Sequence, residues 1–139
     1  MGVIERLIGI IINITKNLDM EVEKGFNLSK WGDQMKFLHA LQVQAQALID
    51  LVQRIASLMG YTPSTYIESG KVLLNEGLMN EEDFKLYRAI VGFRNIVVHE
   101  YVEVNMSLVE NLLRKREYRK ILDLAEKIYR KAKIKGLDP

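Results

Sequence analysis

The 139-residue chain has no cysteine, which rules out disulfide staples and thiolate metal sites. That composition fits a reducing, cytoplasmic setting. Only two prolines occur, Pro63 and Pro139, so long helices are permitted almost everywhere. Histidine is equally scarce. His39 and His99 stand sixty residues apart, with no carboxylates at ligand spacing around either, so no metal and no cofactor are expected. A Gly-rich phosphate loop and a G-x-S-x-G turn are both missing. The longest apolar runs, such as Ile10–Ile12, are far too short to cross a bilayer, so no membrane association is expected. Alternating apolar stretches bounded by turn residues are absent as well, which removes the signal for strands. Any catalysis has to run on side chains alone.

What is present is the composition of an ordinary globular protein, 48% hydrophobic and 27% charged, and a length that suits one domain over residues 1–139. The apolar N-terminal stretch Met1–Ile14 carries Glu5 and Arg6 and has no small-residue cleavage pattern, so it reads as a core helix. Charge is unevenly spread. Residues 1–112 hold 10 Lys/Arg against 14 Asp/Glu, whereas residues 113–139 hold 10 against 4. Such a basic end either attracts a polyanion such as RNA or is simply a solvated helix face.

The apolar spacing predicts an all-α, up-and-down bundle of four or five helices. Ile4, Leu7, Ile8, Ile11, Ile14 and Leu18 make one helical face over about Val3–Glu23, ended by a turn containing Gly25. A second helix is expected from about Asp33 to Met59, with Gly60 as its stop. Its seam, Leu38, Leu41, Ala45, Leu48, Val52, Ile55 and Met59, steps by three and four; Gln42, Gln44, Gln46 and Gln53 lie beside it. His39 reads as a solvent-facing residue of this helix. Thr65 and Glu68 have the spacing of a capping box for a third helix ending at Gly77, and Asn80 caps a fourth that starts Glu81-Glu82-Asp83. Val102–Asn105 reads as a connection. Ser107 and Glu110 then open one final helix reaching about Lys135, with the stripe Tyr118, Ile121, Ala125, Ile128 and Ala132.

The fourth helix carries the unusual residues. In the seam Phe84, Tyr87, Val91, Arg94, Val98 and Tyr101, the arginine is out of place, because a guanidinium cannot lose its proton and is costly in apolar surroundings unless paired or opened to a cleft. Asn95 and His99 share the adjoining face, one turn apart. On an ideal helix at about 100° per residue, Arg94 and His99 point roughly 140° apart. They meet only if the helix distorts near Val97–His99 or if two subunits combine. Arg plus His without a metal suits phosphodiester cleavage in RNA: His99 transfers protons, Arg94 binds the phosphate and Asn95 orients either one. The structural alternative is a buried Arg94 paired to a carboxylate, a hydrogen-bonded core His99 and a packed Tyr101.

The run Arg94-Asn95-x-x-x-His99-x-Tyr101 resembles the R-x4-H-x-Y motif of HEPN-domain proteins, in the HepT-like branch. The likeness extends to Gln53-Arg54-Ile55, Pro63 with Tyr66, and Asn75-Glu76-Gly77. It implies a helical protein that dimerises around the motif helix and acts as a metal-independent endoribonuclease toxin. It also implies a minimal nucleotidyltransferase of the MntA type as antitoxin, which would transfer AMP to Tyr101. The competing reading is a non-catalytic helical subunit that binds a nucleotide and serves such a nucleotidyltransferase.

Overall fold

The computed structural model describes residues 2–99 and 104–137. All regular structure among them is helical: α1 (Val3–Lys24), α2 (Trp31–Leu58), α3 (Tyr66–Asn75), α4 (Glu81–His99), α5 (Met106–Arg114) and α6 (Arg119–Ile134). The 28-residue α2 is the axis, packing against α1, α3, α4 and α6. Its expected seam is buried from Leu38 to Ile55, and Ala47, Ile49, Leu51 and Ala56 widen that seam because helices lie on several sides. α1 buries Ile4, Ile8, Ile11 and Leu18 on one face, as their spacing dictates. No described helix is long and apolar enough to cross a membrane.

Most helix ends follow the capping signals. Thr65 Oγ1 accepts the Glu68 N–H at 3.1 Å, while the Glu68 carboxylate reaches back to the Ser64 N–H and hydroxyl at 2.9 and 2.8 Å. Asn80 and Asp83 bind each other's N–H groups reciprocally, at 2.8 and 3.0 Å, and so start α4. At the other ends Gly60, Gly77 and Gly136 take positive φ, and the next N–H returns to a carbonyl five residues back: Tyr61 to Ala56, Leu78 to Leu73, Leu137 to Ala132.

The single final helix expected from Ser107 to Lys135 is instead two. Its cap is Asn105, whose side-chain oxygen accepts the Ser107 and Leu108 N–H groups at 3.0 and 3.3 Å. It then breaks at Arg116, which adopts φ 54 while the Glu117 N–H returns to the Leu112 carbonyl at 2.9 Å. The same helix-ending turn recurs here without glycine, at a cost of about 1 kcal/mol for a side chain in left-handed backbone. Asp19 offsets that cost. Its carboxylate accepts the Tyr118 hydroxyl, three hydrogen bonds from the Arg119 guanidinium at 3.0, 3.2 and 2.9 Å, and an ion pair from Arg116 at 3.4 Å. The break thereby seats Tyr118 in the core, 1% exposed. Beneath it, the buried Gln44 donates to Thr15 Oγ1 at 2.9 Å and to the Tyr118 carbonyl at 3.0 Å, tying α1, α2 and the α5–α6 corner together.

α3 lies unusually close to α4. A Cβ at Gly70 would sit 2.6 Å from two ring carbons of Tyr87 and 3.1 Å from Phe84. The Tyr87 ring is fully buried and its hydroxyl donates to the Tyr66 carbonyl at 2.9 Å, so it has nowhere to retreat.

Gly70→Ala is therefore expected to lower stability by about 1–3 kcal/mol through overpacking, although Ala is the better helix former by about 1 kcal/mol. The check is a fall in urea midpoint at unchanged slope. A second expectation concerns acid. Burial pushes the Asp19 carboxyl up, but hydrogen bonds from Arg119 and Tyr118 and the charges of Arg119 and Arg116 outweigh it and hold the group below its ordinary 3.8. The stability from this cluster is then complete above pH 3.8 and disappears as pH falls through the lower folded value. Asp19→Asn should cost on the order of 1 kcal/mol at pH 7. The gap from wild type in thermal midpoint should narrow as pH falls below 3.8 through the lower folded value.

Candidate functional site

α4 runs helical through His99, without the distortion that the roughly 140° separation called for. Tyr87, Ile90, Val91 and Val97 face the core. Arg94 is half-buried at the rim, and Asn95 and His99 are at the surface. Arg94, Asn95 and His99 nevertheless line one open hollow of about 400 Å³ between α4 and the start of α3. The hollow is broad enough to take in both sides of the helix, so a shared opening exists within a single chain. Tyr101, together with Val102 and Glu103 of the expected connection, lies outside the described residues.

The guanidinium of Arg94 is held from three directions. Its Nε donates to Gln46 Oε1 at 2.7 Å, its Nη1 donates to Asn95 Oδ1 at 3.2 Å, and it sits over the Tyr66 ring at 5.5 Å from the centroid. Gln46 in turn donates through Nε2 to Asp50 Oδ1 at 2.8 Å, one turn along α2. No carboxylate bonds Arg94 directly among the described residues, which sets it apart from the paired arginine of the structural alternative. Two of its five N–H donors are taken by described groups. The remainder can meet a phosphate in the hollow.

The opposite wall comes from the turn into α3. Ser64, Thr65, Tyr66 and Ile67 line the hollow there, together with Gln53 of α2. This wall is held by the packing described above: Gly70 admits α3 against Tyr87, and the Tyr87 hydroxyl pins the Tyr66 carbonyl. Burial pushes the Tyr87 hydroxyl's pKa far above the ordinary tyrosine value, so it stays a donor at any working pH.

Arg94, Asn95 and His99, which the sequence singles out, are brought together by the fold. Gln46, Asp50, Gln53 and Tyr66 have no role that the sequence alone assigns. The signal for Gln46 and Asp50 is the i, i+4 spacing of an amide and a carboxylate on the half-exposed side of α2. Nothing in that spacing tells that Arg94 docks there. His39 is exposed on α2, as expected, and lies outside the hollow. Among the described residues no three His, Asp or Glu are grouped to hold a metal ion. The basic C-terminal segment spends several cations on the fold itself: Arg116 and Arg119 on Asp19, and Lys127 on Asp83 at 2.7 Å.

The fold recurs in solved structures. A tri-AMPylated HEPN toxin of Shewanella oneidensis, solved in complex with an MNT antitoxin, superposes with a TM-score of 0.77 at 22% identity, covering 91% of this chain and 98% of that one. YutE, a cytosolic protein of unknown function from Bacillus subtilis, gives 0.78 at 14% identity, with 98% and 92% covered. A toxin–antitoxin complex with AMP-PNP gives 0.77 at 22% identity, with 90% and 99% covered. No curated protein matches the sequence significantly. At these identities the structures speak for the fold alone. The family model for HepT-like ribonucleases, however, matches residues 4–128, from the buried face of α1 through the motif helix and into α6. With most of its length matched in this way, the chain belongs to the HepT-like ribonuclease family.

Proposed function

We propose that the protein is the metal-independent endoribonuclease toxin of a toxin–antitoxin pair whose antitoxin is a minimal nucleotidyltransferase. The observation that carries this reading is the hollow in which Arg94, Asn95 and His99 meet, with a guanidinium held by a neutral amide and no described carboxylate bonded to it. In that hollow Arg94 binds the scissile phosphate and stabilises the charge that builds on its oxygens. His99 takes the proton of the adjacent ribose 2′-OH as that oxygen attacks phosphorus. The bond to the 5′ oxygen breaks, leaving a 2′,3′-cyclic phosphate, and the departing oxygen is protonated. Asn95 positions the guanidinium edge through Nη1.

A second copy of the chain fits the same face. Val98, beside His99, is 37% exposed, and an apolar contact there would cover it. A homodimer would set two motifs about one axis and supply a second imidazole for the leaving oxygen. Among the structural relatives, the Shewanella HEPN toxin is tri-AMPylated and bound to an MNT antitoxin. Tyr101, two residues beyond His99, is the acceptor we assign to this chain. An AMP group there adds bulk and negative charge beside the motif.

His99→Ala is expected to abolish RNA cleavage, a loss of at least about 100-fold, with the oligomer and thermal midpoint intact. An RNA substrate carrying 2′-deoxyribose at the cut site should resist the wild-type protein. If the purified protein cuts no RNA, or His99→Ala cuts it equally well, a non-catalytic nucleotide-binding subunit of the nucleotidyltransferase replaces this reading. For the modification, Tyr101→Phe incubated with ATP and the partner enzyme should lose AMP incorporation. Unchanged incorporation removes Tyr101 as the acceptor.

A further inference from the structure

We infer that Gln46 and Asp50 form a relay on α2 that positions the Arg94 guanidinium for phosphate without any described carboxylate bonded to it. The inference rests on the ribonuclease reading for its purpose, but its geometry stands apart from it. Asp50 and Gln46 are four residues apart on one face of α2, so their side chains meet directly. The Asp50 carboxylate only accepts hydrogen bonds, and the Arg94 guanidinium only donates them. Between two such neighbours the Gln46 amide has one orientation that satisfies both: Nε2 toward Asp50 at 2.8 Å and Oε1 toward Arg94 Nε at 2.7 Å. The relay therefore selects the amide's rotation, and the amide selects the guanidinium's.

The identity of the middle residue matters. A carboxylate at position 46 would bind Nε equally well, but would place a full negative charge against the group meant to meet a phosphate. The amide holds the arginine without opposing a phosphodiester, and the anion that fixes it is set back by one side chain. With Nε turned to α2, Nη1 on Asn95 and the Tyr66 ring alongside, the guanidinium is locked in plane, and no other described group takes its remaining donors. A planar, bidentate contact to phosphate needs that kind of locking. Gln46 and Asp50 do not line the hollow where Arg94 and His99 meet, so they act as positioning residues.

The test uses the full chain and two readouts. In the first, solvent exchange of the Arg94 Nε–H is followed by nitrogen-15 NMR, assigned with Arg94→Lys. Wild type should be protected, and Gln46→Ala should exchange faster by on the order of tenfold or more, the worth of one hydrogen bond to a charged group. Gln46→Glu keeps an acceptor and should restore protection. In the second, kinetics on a short RNA should show Gln46→Ala lowering kcat by about 10- to 100-fold with a smaller change in KM. Gln46→Glu should recover kcat in part but raise KM, because its charge repels the substrate. In an Arg94→Lys background Gln46→Ala should have no further effect, since coupled residues are not additive. The relay is overturned by equal exchange in wild type and Gln46→Ala, or by kinetic losses that add fully to Arg94→Lys. Should the wild type cut no RNA, the ribonuclease reading falls while the exchange comparison still decides the relay.

Discussion

α2 has to satisfy two environments along one length. Four other helices pack on it, so most of its circumference is apolar, yet half-exposed polar side chains remain along it, among them Gln46, Asp50 and Gln53. The rest of the molecule is arranged by that division. α1 and α6 cover one part of the apolar surface, α3 and α4 another, and the motif helix is docked on that polar line at Gln46. A helix carrying an arginine in an aromatic seam would be unstable against a wholly apolar neighbour. Against this line of α2 it finds an amide at 2.7 Å and, from α3, an aromatic ring, and the seam can be completed.

Much of this is legible in the order of residues because it is local. Periodicity marks the buried faces of α1 and α2, and short polar side chains at fixed spacing mark the starts of α3 and α4. The break between α5 and α6 is not legible, and the reason is chemical. α2, α3 and α6 end on glycine, which announces the left-handed turn. α5 ends instead on Arg116, a residue with no preference for that backbone, held there by the carboxylate of Asp19 from the far end of α1. Nearly one hundred residues separate the two, so no window along the chain could reveal the compensation. The apolar stripe from Tyr118 to Ala132 packs as its spacing predicts; only its continuity with the helix before it differs.

The site divides in the same way. Arg94, Asn95 and His99 stand within six residues on one helix, so their spacing alone marks them. Their separation around that helix is an obstacle as long as only α4 is considered. The obstacle goes because the hollow between α4 and the start of α3 is lined by all three residues at once. Its opposite wall belongs to a different helix, placed by a glycine and a tyrosine that carry no chemical signature of their own. The polar line on α2 is visible as a set of glutamines, but nothing local tells a solvated glutamine from one that receives an arginine 48 positions away.

The contact between Gly70 and Tyr87 leaves no slack between α3 and α4. A side-chain ring wedged against bare backbone transmits displacement in both directions, unlike flexible side chains that absorb it. The Tyr66 edge of the hollow is therefore fixed to the packing of α3 on α4 and cannot shift without it. In this bundle the hollow is bounded in part by a helix that contributes no motif residue.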